Sequence, residues 1–574
     1  MLRERTAGWG RAVAIIAVLI CVLAVPDAHA AVTPRAQCGP GALPETDTQG
    51  RIPKSDYDDG RTAQGYQCNA ELVGHEGNSG GFRTYRYVDG AGHECAYYDT
   101  TLLVGTSVLV GGNAGVAVLD MTDPAHPVRT DTLSTPAMLS PHESLNLNQP
   151  RGLLAAIQGS PATAPGIVDI YDVRADCRHP VLKWSGPIGG AGHEATFAPD
   201  GNTLYTTATA SPYVTALDVT NPSLPVPVWI STEHIFHGMN VSDDGNRLYA
   251  ADIGGSGLTI LDVSQVQQRV VNPQVPTVSH ITWDNVSIPQ TAIPVTIGGH
   301  PFLVEIDEFA RAVSTAADAP VGAARMIDIA DDTKPVVVSE MRLEVNDPAN
   351  RAGAQKDDPG AADPAQGYAG HYCAVPQRTD PGIVACSFII SGLRVFDIHD
   401  PYHPSEIAYF NPPTREVFGA SQASALSSVP NLYVCRLSVS AAQSGTQFAQ
   451  ASPPPSPADV FKQLPGSPLY GNTLTHWAMS APTFVPSRNE VWYSDGMYGF
   501  YAVRLTNGVW TPVVAPAETP APPITTDAGG TSPPNTAAAT ALPRTGWSDP
   551  TLFGAALIAF AFALAGLRLR ALAR

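Results

Sequence analysis

The sequence is short of positive charge and lacks two motifs that mark common enzyme classes. It carries 33 Lys and Arg against 52 Asp and Glu, which gives a formal net charge of −19. Proteins that bind nucleic acid need a basic surface to neutralise phosphates, so this charge balance argues against a nucleic-acid partner. The His-Glu-x-x-His motif of zinc proteases and the phosphate-binding Gly-rich loop that opens a helix are both absent. The sequence therefore gives no support to either of those two enzyme classes.

The chain begins with the pattern of a secretory signal peptide. Three arginines within the first eleven residues precede the apolar run Ala12–Val25, and the small residues Ala28 and Ala30 follow it. An apolar run this short does not span a bilayer comfortably, whereas it fits the central region of a signal peptide. We therefore expect residues 1–30 to be removed during export, so that the mature chain begins at Ala31.

The chain ends with three features in the order of a cell-wall sorting signal. Residues 542–546 read Leu-Pro-Arg-Thr-Gly, the apolar segment 551–567 follows, and three arginines make the last residues basic. Residues 542–574 resemble the LPxTG sorting signal of Gram-positive surface proteins. The resemblance implies that a sortase cleaves between Thr545 and Gly546 and joins Thr545 to a peptidoglycan peptide. Retention of the apolar segment as a plain transmembrane anchor is the alternative.

Two polar segments flank a long central region. Residues 31–65 form a polar lead, and residues 515–541 form a Pro/Thr/Ala-rich tract that cannot bury a core and is expected to be an extended stalk. Between them, residues 66–514 contain short apolar runs separated by Gly, Pro, Asn and Asp, with no convincing amphipathic helix. This pattern indicates an all-β domain.

A repeat recurs through residues 66–514. Each copy is an apolar strand that ends at an Asp able to bond the backbone of the following turn, and a Pro usually follows before the next strand. Four short strands per copy make one propeller blade, so seven copies predict a single seven-bladed β-propeller with long inter-strand loops. The copies are Gly115–Asp120, Gly166–Asp172, Val214–Asp218, Gly257–Asp262, Ala324–Asp328, Gly392–Asp397 and a decayed copy at Gly499–Arg504.

These copies closely resemble the LVIVD-repeat family of bacterial surface β-propellers over Gln67–Leu505. The fourth copy departs from the pattern, because Ser-Gln-Val-Gln follows Asp262 where most others have a turn with Pro. The resemblance implies a surface-displayed propeller, and loops on such a rigid scaffold commonly carry the binding site. Asn69–Gly74 precedes the first blade and resembles the last strand of a blade, so we expect it to close the ring by pairing with the seventh blade.

The cysteines favour an oxidising compartment. Eight are present, and Cys21 lies inside the signal peptide. In an exported protein most of the remaining cysteines are expected to be paired, and their odd number leaves one free or bonded to another chain. Cys373 and Cys386 are predicted to form a disulfide because they flank a short hairpin. The pairing of the other cysteines stays open.

Most blades have a histidine at the start of the innermost strand. All innermost strands run in the same direction along the axis, so these histidines are expected to form a ring at one mouth of the central channel. In the first blade two registers are open, with the inner strand starting near His93 or covering Phe82–Val88. The ring positions are His142, His193, His237, Gln290 in the fifth blade, His371 and His476, and the nearby carboxylates are Glu143, Glu194, Asp307 and Glu308.

Converging imidazoles predict a metal site at the channel mouth. Neutral imidazole binds Fe, Cu or Zn, and a carboxylate can hold its second nitrogen. The candidate ligands are His193, His237, His371 and His476, with His142 and Glu194 as secondary candidates. The selenium-binding-protein family, a thiol-oxidising propeller, has a distant resemblance to this arrangement.

Two other interpretations of the histidines stay open. Blade duplication copies a residue whether or not it has a role, and a histidine at a strand start can bond a neighbouring backbone; a metal-free polar pocket is the second option. Adjacent residues of a strand point to opposite faces, so His193 and Glu194 are not both expected to line the channel. The leading hypothesis is a wall-displayed binding or scaffold module for an extracellular ligand or protein. The alternative is a metal-dependent surface enzyme, with an oxidoreductase as one form of it.

Overall fold

The computed structural model describes residues 32–100, 115–159, 165–209, 211–310, 319–351, 353, 355, 358, 367–414, 476–496 and 498–512. The predicted signal peptide, the stalk at 515–541 and the sorting signal with Thr545 and Gly546 lie outside these ranges. Within them, no helix has the length and apolar character needed to cross a membrane.

Seven antiparallel sheets form the blades of a propeller, as the repeat predicts. β1 (Tyr66–Cys68) and β2 (Ala70–Glu76) come first in the chain and join the last two blades. The first three blades are β3 (Thr84–Val88), β4 (Glu94–Asp99), β5 (Val116–Asp120) and β6 (Val128–Leu133); β7 (Asn146–Asn148), β8 (Leu153–Ile157), β9 (Ile167–Asp172) and β10 (Val181–Pro187); and β11 (Glu194–Phe197), β12 (Thr203–Ala208), β13 (Tyr213–Asp218) and β14 (Val226–Ser231).

The remaining four blades follow the same order from the inner to the outer strand. The fourth is β15 (Phe236–Val241), β16 (Arg247–Asp252), β17 (Gly257–Asp262) and β18 (Thr277–Ile281); the fifth is β19 (Ile288–Ile297), β20 (His300–Glu308), β21 (Ala324–Asp328) and β22 (Val336–Met341). The sixth is β23 (Gly370–Ala374), β24 (Ile383–Phe388), β25 (Gly392–Asp397), β26 (Ser405–Asn411) and β1; the seventh is β27 (Thr483–Val485), β28 (Glu490–Asp495), β29 (Gly499–Leu505) and β2.

The described helices are short and peripheral to the blades. Lys54–Asp58, Ser264–Gln267 and Pro348–Arg351 are α-helical, and Arg61–Gln64, Glu344–Asn346 and Pro486–Arg488 are 3-10 turns. The helix Ser264–Gln267 stands where the fourth repeat lacks its Asp-Pro turn. The departure seen in the sequence of that copy is therefore a one-turn helix between β17 and β18.

The repeat sequence forms the third strand of every blade. Its apolar side chains are largely buried. In the first six blades its terminal Asp accepts a hydrogen bond from the backbone N–H two residues later, as predicted. The oxygen-to-nitrogen distance is 2.9 Å from Asp120 to Thr122 and 2.8 Å from Asp397 to His399. This bond starts the turn into the outer strand and explains why the Asp recurs in these six blades.

The ring closes through the N-terminal strand, as expected. β2 pairs antiparallel with β29, from Ala70 opposite Leu505 to Glu76 opposite Phe500. The closing blade packs on the first blade through a fully buried cluster that includes Tyr98, Trp492 and Phe500. Strands from both ends of the chain thus share one sheet, which protects that sheet from opening at its edge.

The polar lead is folded against the sixth blade. β1 adds a fifth strand to that blade by pairing with β26, and Leu43 forms a backbone bridge with Gln67. The side chain of Glu45 forms an ion pair with the buried guanidinium of Arg394. Residues 32–65 therefore cover the outer edge of the sixth blade, and Thr33 also bonds the end of the fifth blade at Glu340 and Arg342.

Three disulfides link the described cysteines. Cys373 is bonded to Cys386 across the hairpin of β23 and β24, as predicted. Two further bonds join Cys38 to Cys68 and Cys95 to Cys177. Cys435, the remaining cysteine after the signal peptide, lies outside the described residues. Disulfides of this kind form and persist in oxidising compartments.

Candidate metal centre at the propeller axis

The innermost strands of neighbouring blades meet at one end of the axis. A parallel backbone bridge joins Glu143 of the second blade to Glu194 of the third, and another joins Arg83 of the first blade to Ala481 of the seventh. Parallel bridges require inner strands that run in the same direction. The residues at the strand starts are therefore brought together, as their equivalent positions in the repeat predict.

Local irregularities of the inner strands aim the side chains at the axis. β-bulges lie at His237 in the fourth blade, at Gln290 in the fifth and at His371 in the sixth. A bulge leaves its extra residue outside the ladder and redirects the side chain. The same device thus recurs at the same position in three blades.

The expectation that His193 and Glu194 cannot both face the axis is wrong. His142 and His193 precede their strands, and His142 has a left-handed backbone with φ 49°. The alternation of side chains applies only within a regular strand, so it does not govern these residues. Both members of each His-Glu pair consequently enter one cluster.

Four imidazoles and three glutamates make up this axial cluster: His142, Glu143, His193, Glu194, His237, Glu308 and His371. Their side chains are at most 3 % exposed. Three overlapping groups of potential ligand atoms, each within 4.8 Å, all contain Glu143. The shared carboxylate of Glu143 is therefore the centre of the cluster.

The two oxygens of Glu143 face different histidines. Oε2 lies 3.3 Å from His193 Nε2 and 3.3 Å from His237 Nδ1. Oε1 lies 3.5 Å from His142 Nε2 and 3.6 Å from His371 Nε2. Each oxygen of one carboxylate thus serves a separate pair of imidazoles.

The two oxygens of Glu308 also contact different histidines. Its Oε1 lies 3.1 Å from His237 Nε2, and its Oε2 lies 3.1 Å from His371 Nε2. Glu194 Oε2 lies 3.7 Å from His237 Nδ1. His237 therefore has a carboxylate at each of its two ring nitrogens.

A cationic and polar shell surrounds the cluster. Arg83 forms an ion pair with Glu194 and donates from Nε to the Glu143 carbonyl at 2.8 Å. Tyr372 Oη donates to Glu143 Oε2 at 3.1 Å, and Gln290 Nε2 donates to the same oxygen at 3.0 Å. Three carboxylates and one guanidinium leave a net charge of −2 when the imidazoles are neutral.

The contact between His371 and Glu308 calls for a positive charge. Its Nδ1 lies 2.7 Å from the Met479 carbonyl, which can only accept, so Nδ1 carries the proton. A neutral His371 therefore directs the lone pair of Nε2 at Glu308 Oε2. Within the described part of the chain, neither of these two atoms has a hydrogen-bond partner. Two buried acceptors face to face are costly unless a cation lies between them.

In the protein alone, protonation of a histidine supplies part of that charge. Burial acts to lower the pKa of His237, but the carboxylates of Glu143 and Glu308 outweigh it and raise the pKa. Burial likewise acts to raise the pKa of Glu143, yet His237, His142 and His193 hold it well below its usual value. The cluster thus attracts positive charge, which a proton or a metal ion can provide.

His476, one of the four leading candidates, is not part of the cluster. Its Nε2 donates to the Pro412 carbonyl at 2.5 Å, and its ring packs against Tyr498 at 5.5 Å between centroids. Burial lowers its pKa to about 4. The other five sequence-predicted residues, His142, His193, Glu194, His237 and His371, do converge.

Asp307 is also excluded from the cluster, although Glu308 beside it takes part. Asp307 Oδ2 accepts from Trp283 Nε1 at 3.0 Å and from the Ser287 backbone N–H at 2.9 Å. Asp99 has the same role in the first blade, where it accepts from the backbone N–H groups of Phe82 and Arg83 at 3.0 Å. These aspartates position the segment before each inner strand rather than the ligand atoms.

The first blade contributes Arg83, which the sequence did not single out. β3 covers Thr84–Val88, so the second of the two open registers is correct and His93 lies in the following turn. His93 Nδ1 bonds Asp89 Oδ2 at 2.8 Å instead of reaching the axis. A charged residue directly before the inner strand was the available signal.

A channel of about 240 Å³ lies beside the cluster and is lined by all seven blades. Arg83 belongs both to the channel wall and to the shell of the cluster. Apolar and polar side chains share the wall, and the polar ones include Tyr85, Asn146, Thr196, Asn240, Thr291 and Gln377. A small polar molecule in this channel would lie next to the cluster.

A Gly-x-Ser-x-Gly sequence at Gly77–Gly81 does not form the serine site of a hydrolase. In hydrolases with this motif the serine stands on a sharp turn from a strand into a helix. Here the segment connects β2 to β3, and Ser79 Oγ donates to the Thr100 carbonyl at 3.2 Å. The segment is a connection between two strands of neighbouring blades.

No protein-family model matches the chain, and no curated protein matches its sequence. Solved structures that resemble it include the β-propeller domain of Myceliophteria thermophila Cps50 (Swd1), with 11% identity, a TM-score of 0.41 and coverage of 76% of this chain and 99% of that one. U3-55K shows 9% identity, a TM-score of 0.41 and coverage of 76% and 97%. Kuenenia stuttgartiensis hydrazine synthase shows 9% identity, a TM-score of 0.40 and coverage of 75% and 97%. Likenesses this weak carry no argument about function.

Proposed function

We propose that the protein is an exported binding propeller, anchored to a cell wall, whose axial cluster binds a first-row transition metal such as Fe, Cu or Zn. The observation that carries the metal part is the convergence of three buried carboxylates and four buried imidazoles around Glu143. Imidazole and carboxylate are suitable ligands for these metals. Second contacts such as that of His371 with Met479 are typical of metal-bound histidine.

Surface anchoring is supported by the two ends of the sequence. The predicted signal peptide at 1–30 and the LPxTG-like segment at 542–546 flank a domain that carries three disulfides. The LVIVD-like repeats support the same proposal, since that family is displayed on bacterial surfaces. Sortase and a peptidoglycan peptide are then the expected partners of Thr545.

The anchoring proposal is tested by mass spectrometry of wall fragments from cells that express the full chain. We expect a peptide ending at Thr545 and joined to a peptidoglycan peptide. Thr545→Ala should abolish the linkage, whereas Thr540→Ala, just before the motif, should leave it unchanged. Recovery of protein that extends to Arg574 only in the membrane fraction would replace the wall proposal with a membrane anchor.

The metal proposal is tested on the full chain purified without chelator. Elemental analysis should find bound Fe, Cu or Zn in protein whose three disulfides are intact. Dialysis against a chelator should remove the metal, and it should return on addition of one of these ions. If the protein takes up none of the three ions, the metal proposal is wrong and the protein is a metal-free binding propeller.

The second candidate function is a metal-dependent surface oxidoreductase. The channel of about 240 Å³ supports this second candidate, because the channel can hold a small molecule beside the cluster. Oxygen uptake with a small thiol, measured with and without the bound metal, distinguishes the two functions. Metal binding without any metal-dependent turnover would leave the binding function alone.

A further inference from the structure

We propose that the axial cluster is built for two metal ions bridged by Glu143. This inference rests on the proposed metal-binding function and goes further by assigning the number of ions and the ligands of each. Seven side chains converge in the cluster. A first-row ion usually takes about four to six donor atoms, and paired ions in proteins lie about 3.5–4 Å apart. The donor set therefore exceeds what one ion needs.

The first proposed site is formed by the second, third and fourth blades. Its ligands are Glu143 Oε2, His193 Nε2, His237 Nδ1 and Glu194 Oε2. Glu143 Oε2 lies 3.3 Å from each of the two histidine nitrogens, and Glu194 Oε2 lies 3.7 Å from His237. Glu194 Oε2 has no hydrogen-bond partner among the described residues, so a ligand direction is available there.

The second proposed site is formed by the second, fifth and sixth blades. Its ligands are Glu143 Oε1, His142 Nε2, His371 Nε2 and Glu308 Oε2. The distances from Glu143 Oε1 to the two histidines are 3.5 and 3.6 Å, and Glu308 Oε2 lies 3.1 Å from His371 Nε2. Each site thus has two imidazoles, one glutamate of its own and one oxygen of Glu143.

The two oxygens of Glu143 contact different histidines, and this favours two bound ions over a single ion with additional side chains nearby. A carboxylate that served a single ion would direct its ligand atoms to one group of imidazoles, whereas Glu143 serves two groups on opposite oxygens. Gln290 Nε2 donates to Glu143 Oε2 and holds the carboxylate between the groups. Tyr372 Oη has one proton, and when it donates to Glu194 Oε1 at 3.2 Å rather than to Glu143 Oε2 at 3.1 Å, a lone pair of Oε2 stays available for an ion. Two divalent ions exceed the local charge of −2, so an anion or hydroxide is expected to complete the centre.

The first test is the stoichiometry of the full chain with Mn²⁺ alone and with Co²⁺ alone. We expect two ions per chain, and the Mn²⁺ spectrum in electron paramagnetic resonance should show exchange coupling between them. One ion per chain would overturn the paired site while leaving the metal-binding function intact. Absence of both Mn²⁺ and Co²⁺ would also overturn the paired site, whereas the uptake of Fe, Cu or Zn described above decides the metal-binding function, so the two failures are distinguishable.

The second test assigns ligands with conservative variants. Glu194→Gln should lower the stoichiometry to one ion, His371→Gln should do the same, and Glu143→Gln should remove the exchange coupling. His476→Gln is the matched control, because His476 is equally buried but lies outside the cluster, so this variant should retain two coupled ions. If Glu143→Gln keeps the coupled spectrum, or His371→Gln keeps both ions, the assignment is wrong. The wild-type stoichiometry decides the proposal even if a variant fails to fold.

Discussion

The sequence predicts His371 in the sixth blade and His476 in the seventh at the start of an inner strand, yet their surroundings are opposite. Both are fully buried. His371 directs Nε2 at the carboxylates of Glu308 and Glu143, while His476 donates Nε2 to the Pro412 carbonyl. The seventh blade nonetheless supports its neighbour, since the Met479 carbonyl fixes the ring of His371. Duplication of a blade copies a residue type, but the local backbone decides what that residue does.

The bulge at His371 is the physical source of this difference. It takes His371 out of the β23–β24 ladder and turns its ring toward the axis. In the seventh blade, β27 begins at Thr483, so His476 lies before the inner strand and outside any ladder. The two blades therefore provide a natural pair in which one histidine is a candidate ligand and the other is a structural residue.

The largest expected effect comes from removing one histidine of each proposed site. His193→Ala combined with His371→Ala should abolish metal binding, because each substitution removes an imidazole from a different group around Glu143. His476→Ala should keep the full metal content. Elemental analysis of the full chain gives the answer, and circular dichroism shows whether the propeller is still folded. If the folded double variant keeps all of its metal, His371 is no more a metal ligand than His476 is.

The next effect concerns the disulfide beside His371. Cys373 and Cys386 join β23 to β24 two residues beyond the candidate ligand. Replacing both cysteines with Ala should lower the free energy of unfolding by about 3 kcal/mol, the entropy expected for a loop of this length. Denaturant unfolding under oxidising conditions measures it. An unchanged midpoint would mean that the sixth blade does not depend on this bond for its rigidity.

An intermediate effect is expected from the pH response of His476. Burial lowers its folded-state pKa from 6.5 to about 4, so below pH 6.5 the unfolded chain takes up a proton that the folded chain does not. The free energy of unfolding should therefore fall with pH between about 6.5 and 4, by about 2 kcal/mol at pH 5. His476→Gln should remove this part of the slope, and His403→Gln in an exposed turn should not. Identical slopes in all three proteins would contradict a buried neutral His476.

The contrast between His371 and His476 shows which parts of the fold and of the cluster could be predicted from the sequence. The repeat predicted seven blades, the closing strand after Asn69 and the ring of strand starts, because strand patterning and duplication are local properties. It placed His476 in the cluster and kept His193 apart from Glu194, because bulges and the residues before a strand do not follow the alternation rule. Arg83 was missed for a related reason, since the histidine with the matching spacing in its blade, His93, lies in the turn after β3 and not at the start of that strand.

The smallest effect compares the ends of the two repeat strands. Asp397 of the sixth blade accepts from the His399 backbone N–H at 2.8 Å, whereas the decayed seventh copy has Arg504, which pairs with Glu71 at 3.0 Å and with Glu490 at 3.3 Å. Asp397→Ala should cost about 1 kcal/mol, because a turn N–H loses its acceptor. Arg504→Ala should cost less, about 0.5 kcal/mol, since the Arg504 side chain is 42% exposed and water screens its ion pairs. Thermal unfolding of the two variants in parallel gives the order, and a larger loss for Arg504→Ala would show that the ion pairs across β2 and β29 hold the ring closed more strongly than the turns do.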